Sequence, residues 1–161
     1  PSMNFQLNWG GRKDFKNGGT FGSVVSLTYR NSQNIQFNNR RDYESLDNNV
    51  PPVFNYDDTV YSFTTNAALL ANFAYKKGNT KIAFKNLANR LFENSNLFRG
   101  GENNNNRQFL QTNGSLAVIK SMISSQLEGE HLLSQQRKDR LKWNLNYTLT
   151  AQDQPDYTVL P

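Results

Sequence analysis

The sequence predicts an all-β protein: an antiparallel up-and-down meander of about six long strands. Three observations carry this. Alternation of apolar and polar side chains persists through stretches too long for an ordinary strand. Tight-turn signals recur between alternate stretches, and the intervening connectors are long and polar. The third stretch is the clearest case. Tyr61, Phe63, Thr65, Ala67, Leu69, Ala71, Phe73 and Tyr75 share one parity, against Ser62, Thr64, Asn66, Ala68, Asn72 and Lys76 on the other. A strand turns successive side chains to opposite faces, so this pattern makes one greasy face and one wet face. Strands of soluble proteins usually stop near five or six residues, whereas a strand crossing a bilayer needs about 9–11. The expected architecture is therefore part of a larger transmembrane β-barrel.

Each element follows from its own residues. The first strand sets Met3, Phe5, Leu7 and Trp9 against Ser2, Asn4, Gln6 and Asn8, and Gly10-Gly11 ends the clean pattern. Asn17-Gly18-Gly19 is a tight turn, because Asn and Gly tolerate positive φ. The second strand carries Phe21, Val25, Leu27 and Tyr29 on one side, and Ile35 and Phe37 keep the phase. From about 38 to 59 the pattern breaks around Asn48-Asn49, Pro51-Pro52 and Asp57-Asp58, which predicts a long loop. Lys77-Gly78-Asn79 is the next turn, and a fourth strand begins at Lys81. A second long polar loop is expected over about 93–107. The fifth strand covers about 108–127. Two sets compete for its bilayer-facing side, Leu116, Val118 and Met122 against Ala117, Ile119 and Ile123, and Lys120 shares a parity with the first. A Lys on the lipid side near the midplane costs about 2–4 kcal/mol, so Ala117, Ile119 and Ile123 are expected outward unless a bulge switches the phase. After a turn near 134–139, the sixth strand sets Leu141, Trp143, Leu145, Tyr147 and Leu149 against Lys142, Asn144, Asn146, Thr148 and Thr150.

Composition agrees. At 161 residues the chain is read as one unit, 1–161, a partial barrel with no plug and no signal peptide. A mean hydropathy of -0.76 excludes a bundle of membrane helices. It does not exclude a membrane barrel, in which only alternate residues meet lipid. There are no cysteines, hence no disulfides or thiolate metal sites. The net charge is +5, but the basic residues are scattered. The densest group is Arg137, Lys138, Arg140 and Lys142. No basic stripe with regular aromatic platforms is present, so nucleic acid is not an expected partner. Six strands cannot close, and an open edge in lipid leaves backbone groups unsatisfied. A larger or oligomeric barrel follows, bathed by outer-membrane lipid.

Several stretches, in order, resemble the barrel of TonB-dependent outer-membrane receptors of the type preceded by a carboxypeptidase-regulatory-like domain. They are FGSVVSLTYRNSQNIQF (21–37), LLANFAYKKGNTKIAFKNLANRL (69–91), ISSQLEGEHLL (123–133) and LKWNLNYTLTAQDQPDY (141–157). The opening Met3 to Trp9 fits an earlier ascending strand of such a barrel. The resemblance implies a location in the cell outer membrane and active import of a scarce nutrient such as an iron chelate, cofactor or glycan. It also implies two partners: a plug domain filling the barrel and a TonB-type energy-coupling protein. Both would act through parts outside this chain. The alternative from a different class is a soluble β-sandwich or small barrel serving as a binding or adhesion module.

Catalysis has little support, and no enzyme activity and no cofactor are expected. Glu128-Gly129-Glu130-His131 crowds two carboxylates and the only His. On a strand the carboxylates share a face while His131 points away, and a metal site needs about three converging ligands. Asn113-Gly114-Ser115 and Asn146-Tyr147-Thr148 match the glycosylation sequon but fall in strands. Ligand binding is expected in the long loops, where charge mixes with aromatics on a rigid scaffold. The candidates are Arg40, Arg41, Tyr43, Phe54, Tyr56, Asp57 and Asp58, with Arg99, Glu102 and Arg107 in the second loop.

Overall fold

The computed structural model describes residues 2–44, 50–134 and 139–160. It is a single antiparallel sheet in the order β1-β2-β3-β4-β5-β6, each strand pairing with its sequence neighbours. The strands are β1 (Met3–Asp14), β2 (Gly19–Asp42), β3 (Phe54–Lys77), β4 (Thr80–Asn103), β5 (Gln108–Ser134) and β6 (Asp139–Leu160). The sheet is not closed, and β1 and β6 each present an open edge. The three middle strands β2, β3 and β4 are 24 residues long. At roughly 3.3 Å per residue that is about 80 Å of strand, far beyond what a globular sheet uses.

Register converts the alternation into two faces. Phe5 pairs with Tyr29, Leu7 with Leu27 and Trp9 with Val25. Leu27 then meets Leu69, and Phe21 meets Tyr75. The same row continues through Ala88, Ile123 and Leu149. These side chains cover one side of the sheet without a second layer over them: Phe5 is 51%, Leu69 45% and Leu145 67% exposed. The opposite side carries Asn8, Ser26, Asn66, Lys85, Glu128 and Asn144. Every ion pair among the described residues lies there, including Lys85–Glu128 at 2.6 Å and Lys120–Glu93 at 3.1 Å. On β5, Ala117, Ile119 and Ile123 take the apolar side and Lys120 the polar one, as the charge argument required.

Two irregularities interrupt the ladder. Val118 stands opposite both Gln154 and Pro155, between the pairs Ala117–Asp156 and Ile119–Asp153. Proline has no N–H for a ladder bond, so edge strands and bulges are where it is tolerated. The extra residue inverts the phase beyond it, so Asp156, and not Tyr157, shares the apolar side. A second shift falls between Leu132 and Ser134.

The connectors differ from the sequence expectation. The first reversal is tight: the Phe15 N–H donates to the Gly19 carbonyl at 2.7 Å, and the Gly18 N–H donates to the Phe15 carbonyl at 3.0 Å. Gly18 (φ 79°) and Gly78 (φ 54°) occupy the left-handed region the turns need. At the other end the expected loops shrink. β2 runs on to Asp42 and β3 already starts at Phe54, so only 43–53 connect them. β4 extends to Asn103, and 104–107 alone turn the chain into β5. The fourth connection is therefore short, not long. The cause is physical. Beyond about Thr59 and Phe98 polar side chains stand on both faces, so the hydrophobic period is lost while backbone pairing continues. The fifth turn, 135–138, and with it Arg137 and Lys138, lies outside the described residues.

Candidate functional site

The expected loop residues are strand residues, and the pleat divides them. Only Tyr43 and Arg107 lie outside strands. Tyr43 follows β2 and is exposed, its N–H donating to the Asp42 Oδ1 at 3.0 Å. Arg107 closes the turn into β5 with φ 50°. Arg41, Asp57 and Glu102 point to the side continuous with the apolar face. There Asn39 Nδ2 donates to Asp57 Oδ1 at 2.7 Å and to Asn55 Oδ1 at 3.0 Å, and Arg41 Nε donates to Asn55 Oδ1 at 3.0 Å. This network knits β2 to β3 above the greasy band. Glu102 faces Asn55 across the β3–β4 ladder.

The polar side gathers the other five. Arg40 stands opposite Tyr56, and Asp58 stands opposite Arg99. Two residues apart on β3, Phe54 and Tyr56 stack with ring centroids 4.8 Å apart. Arg99 reaches Asp58 with two donors, Nε to Oδ1 at 2.7 Å and Nη2 to Oδ2 at 2.8 Å. Its guanidinium carbon lies 5.5 Å from the Tyr56 ring centroid. This fork-to-carboxylate geometry is the stronger class of ion pair, and here it is shielded: Asp58 is 6% and Tyr56 9% exposed. The Arg99 hydrogen bonds hold the Asp58 carboxyl below its ordinary range, against the opposing effect of burial, and the charges of Arg99 and Arg40 add to the shift. Arg99 is raised in turn by Asp58.

Gly101 completes the cluster and is the residue the sequence reading missed as a site member. It faces Tyr56 across the ladder. A Cβ there would collide with the Asn55 carbonyl oxygen and with Tyr56 itself. The absent side chain is what lets the Tyr56 ring lie flat on the sheet beneath Arg99. Gly100-Gly101 reads in sequence as a loop marker; the cue to its real role is a glycine two residues from Arg99 in a strand that faces aromatics. The same device recurs at the other end, where Trp143 covers Gly129 and Tyr75 covers Gly19.

The cluster can hold a planar or anionic group against a rigid aromatic-cation floor. It offers no acid–base pair, because the Asp58 charge is already neutralised by Arg99. Glu128 and Glu130 lie on the polar face, and His131 lies on the other, where its Nε2 accepts from the Trp143 Nε1 at 3.1 Å and its Nδ1 is 3.2 Å from Thr80 Oγ1. Among the described residues no group of three His, Cys, Asp or Glu is placed to hold a metal ion. Asn113 and Asn146, the sequon asparagines, lie within β5 and β6. No protein-family model matches the chain, and no curated protein matches it.

Proposed function

We propose that this chain is a section of the wall of an outer-membrane β-barrel, in a nutrient-import receptor of the TonB-dependent kind. The observation that carries the membrane reading is the division of the sheet. Large apolar side chains, both tryptophans among them, cover one face in the open, and all described ion pairs occupy the other. Exposed apolar patches of a few hundred Å² already mark interaction surfaces on soluble proteins. A face running across six strands is suited to acyl chains. Five strands of 22–27 residues, β2 to β6, in one layer favour this reading over a soluble sandwich or small-barrel binding module. The open β1 and β6 edges call for further strands, since a bilayer leaves no unpaired backbone tolerated. The import function rests on the ordered resemblance of the four stretches, with a plug and a coupling protein as partners. In this reading the Arg40–Tyr56–Asp58–Arg99 cluster sits on the inner wall at the outward end, where an imported solute first meets the barrel.

The test uses the full-length protein in phospholipid vesicles. Spin labels at Phe5→Cys, Leu69→Cys and Leu145→Cys are expected to collide with dissolved oxygen, which concentrates in lipid. Labels at Asn66→Cys and Asn144→Cys are expected not to. Equal collision rates at the two sets would end the membrane reading. The import half is checked by capture on the periplasmic domain of the energy-coupling protein; no retention of the receptor would remove it.

A further inference from the structure

Two lysines stand on the apolar side of the sheet, both at its short-turn margin. Lys13 on β1 faces Phe21, and Lys77 on β3 faces Gly19. Towards the other end, the next charged side chain among the described residues of that side is Arg90, opposite Ala67. From Thr80, the residue opposite Lys77, to Arg90, β4 covers roughly 33 Å at about 3.3 Å per residue. At the tilt of membrane barrels, about 40°, that is about 25 Å of height, the height of their apolar band. Lys13 and Lys77 therefore fall where a bilayer passes from acyl chains to headgroups. A lysine at such a boundary keeps its stem on apolar surface and extends its ammonium to the polar layer.

The residues around Gly19 make a site of the two lysines. β2 runs between them and presents Gly19 and Phe21 on that side. Gly19 has no side chain, and Tyr75 takes the space above it: a Cβ there would meet the Tyr75 hydroxyl at 2.5 Å. The Tyr75 ring is held edge-on against Phe15, with centroids 6.4 Å apart, and the Lys13 ammonium lies 5.6 Å from the Phe15 centroid. Two ammonium groups and a phenol hydroxyl thus flank one bare stretch of backbone. Among the described residues neither lysine meets a carboxylate within 4 Å, whereas Arg12, Lys85, Arg140 and Lys142 on the polar side each have one. One step inward the stacked rings of Phe21 and Phe73, with centroids 6.2 Å apart, begin the apolar surface.

We propose that Lys13, Lys77 and the Tyr75 hydroxyl bind the phosphate of an anionic glycerophospholipid, whose acyl chains lie along Phe21 and Phe73. The assignment rests on the barrel reading. Charge complementarity selects an anion, since two unpaired cations share the site. A phosphodiester fits the donors: its oxygens accept from both ammonium groups and from the phenol together. Continuity with the apolar side selects a lipid over a free anion, because only a lipid fills the headgroup position and covers the adjoining rings at once. The polar side of the same hairpin lacks that surface, so its own unpaired lysines, Lys76 and Lys81, are not part of the site.

The test acylates the amines of the full-length protein in vesicles with an uncharged reagent and reads each lysine by mass spectrometry. It uses the unaltered chain, so no variant need fold. Lys76 and Lys81, opposite each other across the β3–β4 ladder, lie at the same end on the other face and report the membrane's surface potential alone. The expected result is labelling of Lys13 and Lys77 slowed roughly fivefold or more in phosphatidylglycerol vesicles relative to phosphatidylcholine vesicles, with Lys76 and Lys81 slowed less than about twofold. Equal slowing of all four lysines, or of none, overturns the proposal. So does the same selective slowing when inorganic phosphate is added to phosphatidylcholine vesicles, which makes the site one for a free anion. Spin labels at Phe5→Cys and Leu69→Cys in the same vesicles separate the two readings. Oxygen contact on the apolar face without selective slowing defeats the headgroup site and leaves the barrel reading standing.

Discussion

Asp58 and Arg99, 41 positions apart, meet across the β3–β4 ladder in a two-point contact of 2.7 and 2.8 Å. Tyr56 covers the guanidinium and Gly101 makes room for Tyr56. The contact fixes the end of the sheet where β2 passes into β3 and β4 into β5, beyond the band of apolar side chains.

Removing one partner leaves the other charge shielded and alone, the costly case for ion pairs. Arg99→Ala is expected to destabilise the protein by about 2–4 kcal/mol in denaturant titration. Arg99→Lys keeps the charge and loses the fork, so a smaller loss, about 1–2 kcal/mol, is expected. Equal losses would deny the bidentate geometry its role.

The same pair makes stability depend on pH in one direction. Asp58 has its folded-state pKa lowered from 3.8 by the Arg99 hydrogen bonds. The unfolded chain therefore binds the proton first as pH falls. Its contribution is fully present above about pH 5, begins to fall as the unfolded carboxyl takes up its proton, and disappears as pH drops through the folded value. Asp58→Asn is expected to flatten the acid limb of a stability–pH profile below about pH 5 and to leave its slope near neutrality unchanged.

Adjacent glycines give a matched control. Gly101→Ala forces a methyl into the Asn55 carbonyl and Tyr56, while a methyl at Gly100 meets nothing within 4 Å. Gly101→Ala is expected to cost about 1–3 kcal/mol, and Gly100→Ala less than about 0.5 kcal/mol. Thermal or denaturant unfolding of the two variants side by side checks this.

Charge placement separates the faces. Leu69→Arg puts a cation on the apolar side mid-strand and is expected to cost about 2–4 kcal/mol in a bilayer. Asn66→Arg, on the polar side of the same strand, is expected to be nearly neutral. Unfolding from vesicles measures both, and a reversal of the order would put lipid on the wrong face.

Much of this was readable along the chain. Flawless alternation in Met3 to Trp9 and 141–150, and a nearly regular one in 61–75, named the strands and their faces, because period two survives wherever one side is apolar and the other wet. The Lys120 argument set the phase of β5 from a single charge. The meander order came with them, since short turns force neighbouring strands to pair. What the chain alone did not disclose was the reach of the ladder past the greasy band. There Asn, Asp and Arg face both ways, and the backbone hydrogen bonds that keep the strands paired are common to every sequence. For the same reason the candidate residues looked like loop residues. Only the register of β2, β3 and β4 sorted Arg40, Tyr56, Asp58 and Arg99 onto one face and Arg41, Asp57 and Glu102 onto the other. It also set Lys76 against Lys81 and Gly101 under Tyr56. Pairing across a sheet is a long-range choice, decided by which residues end up opposite one another, and local pattern fixes it only as far as the hydrophobic signal extends.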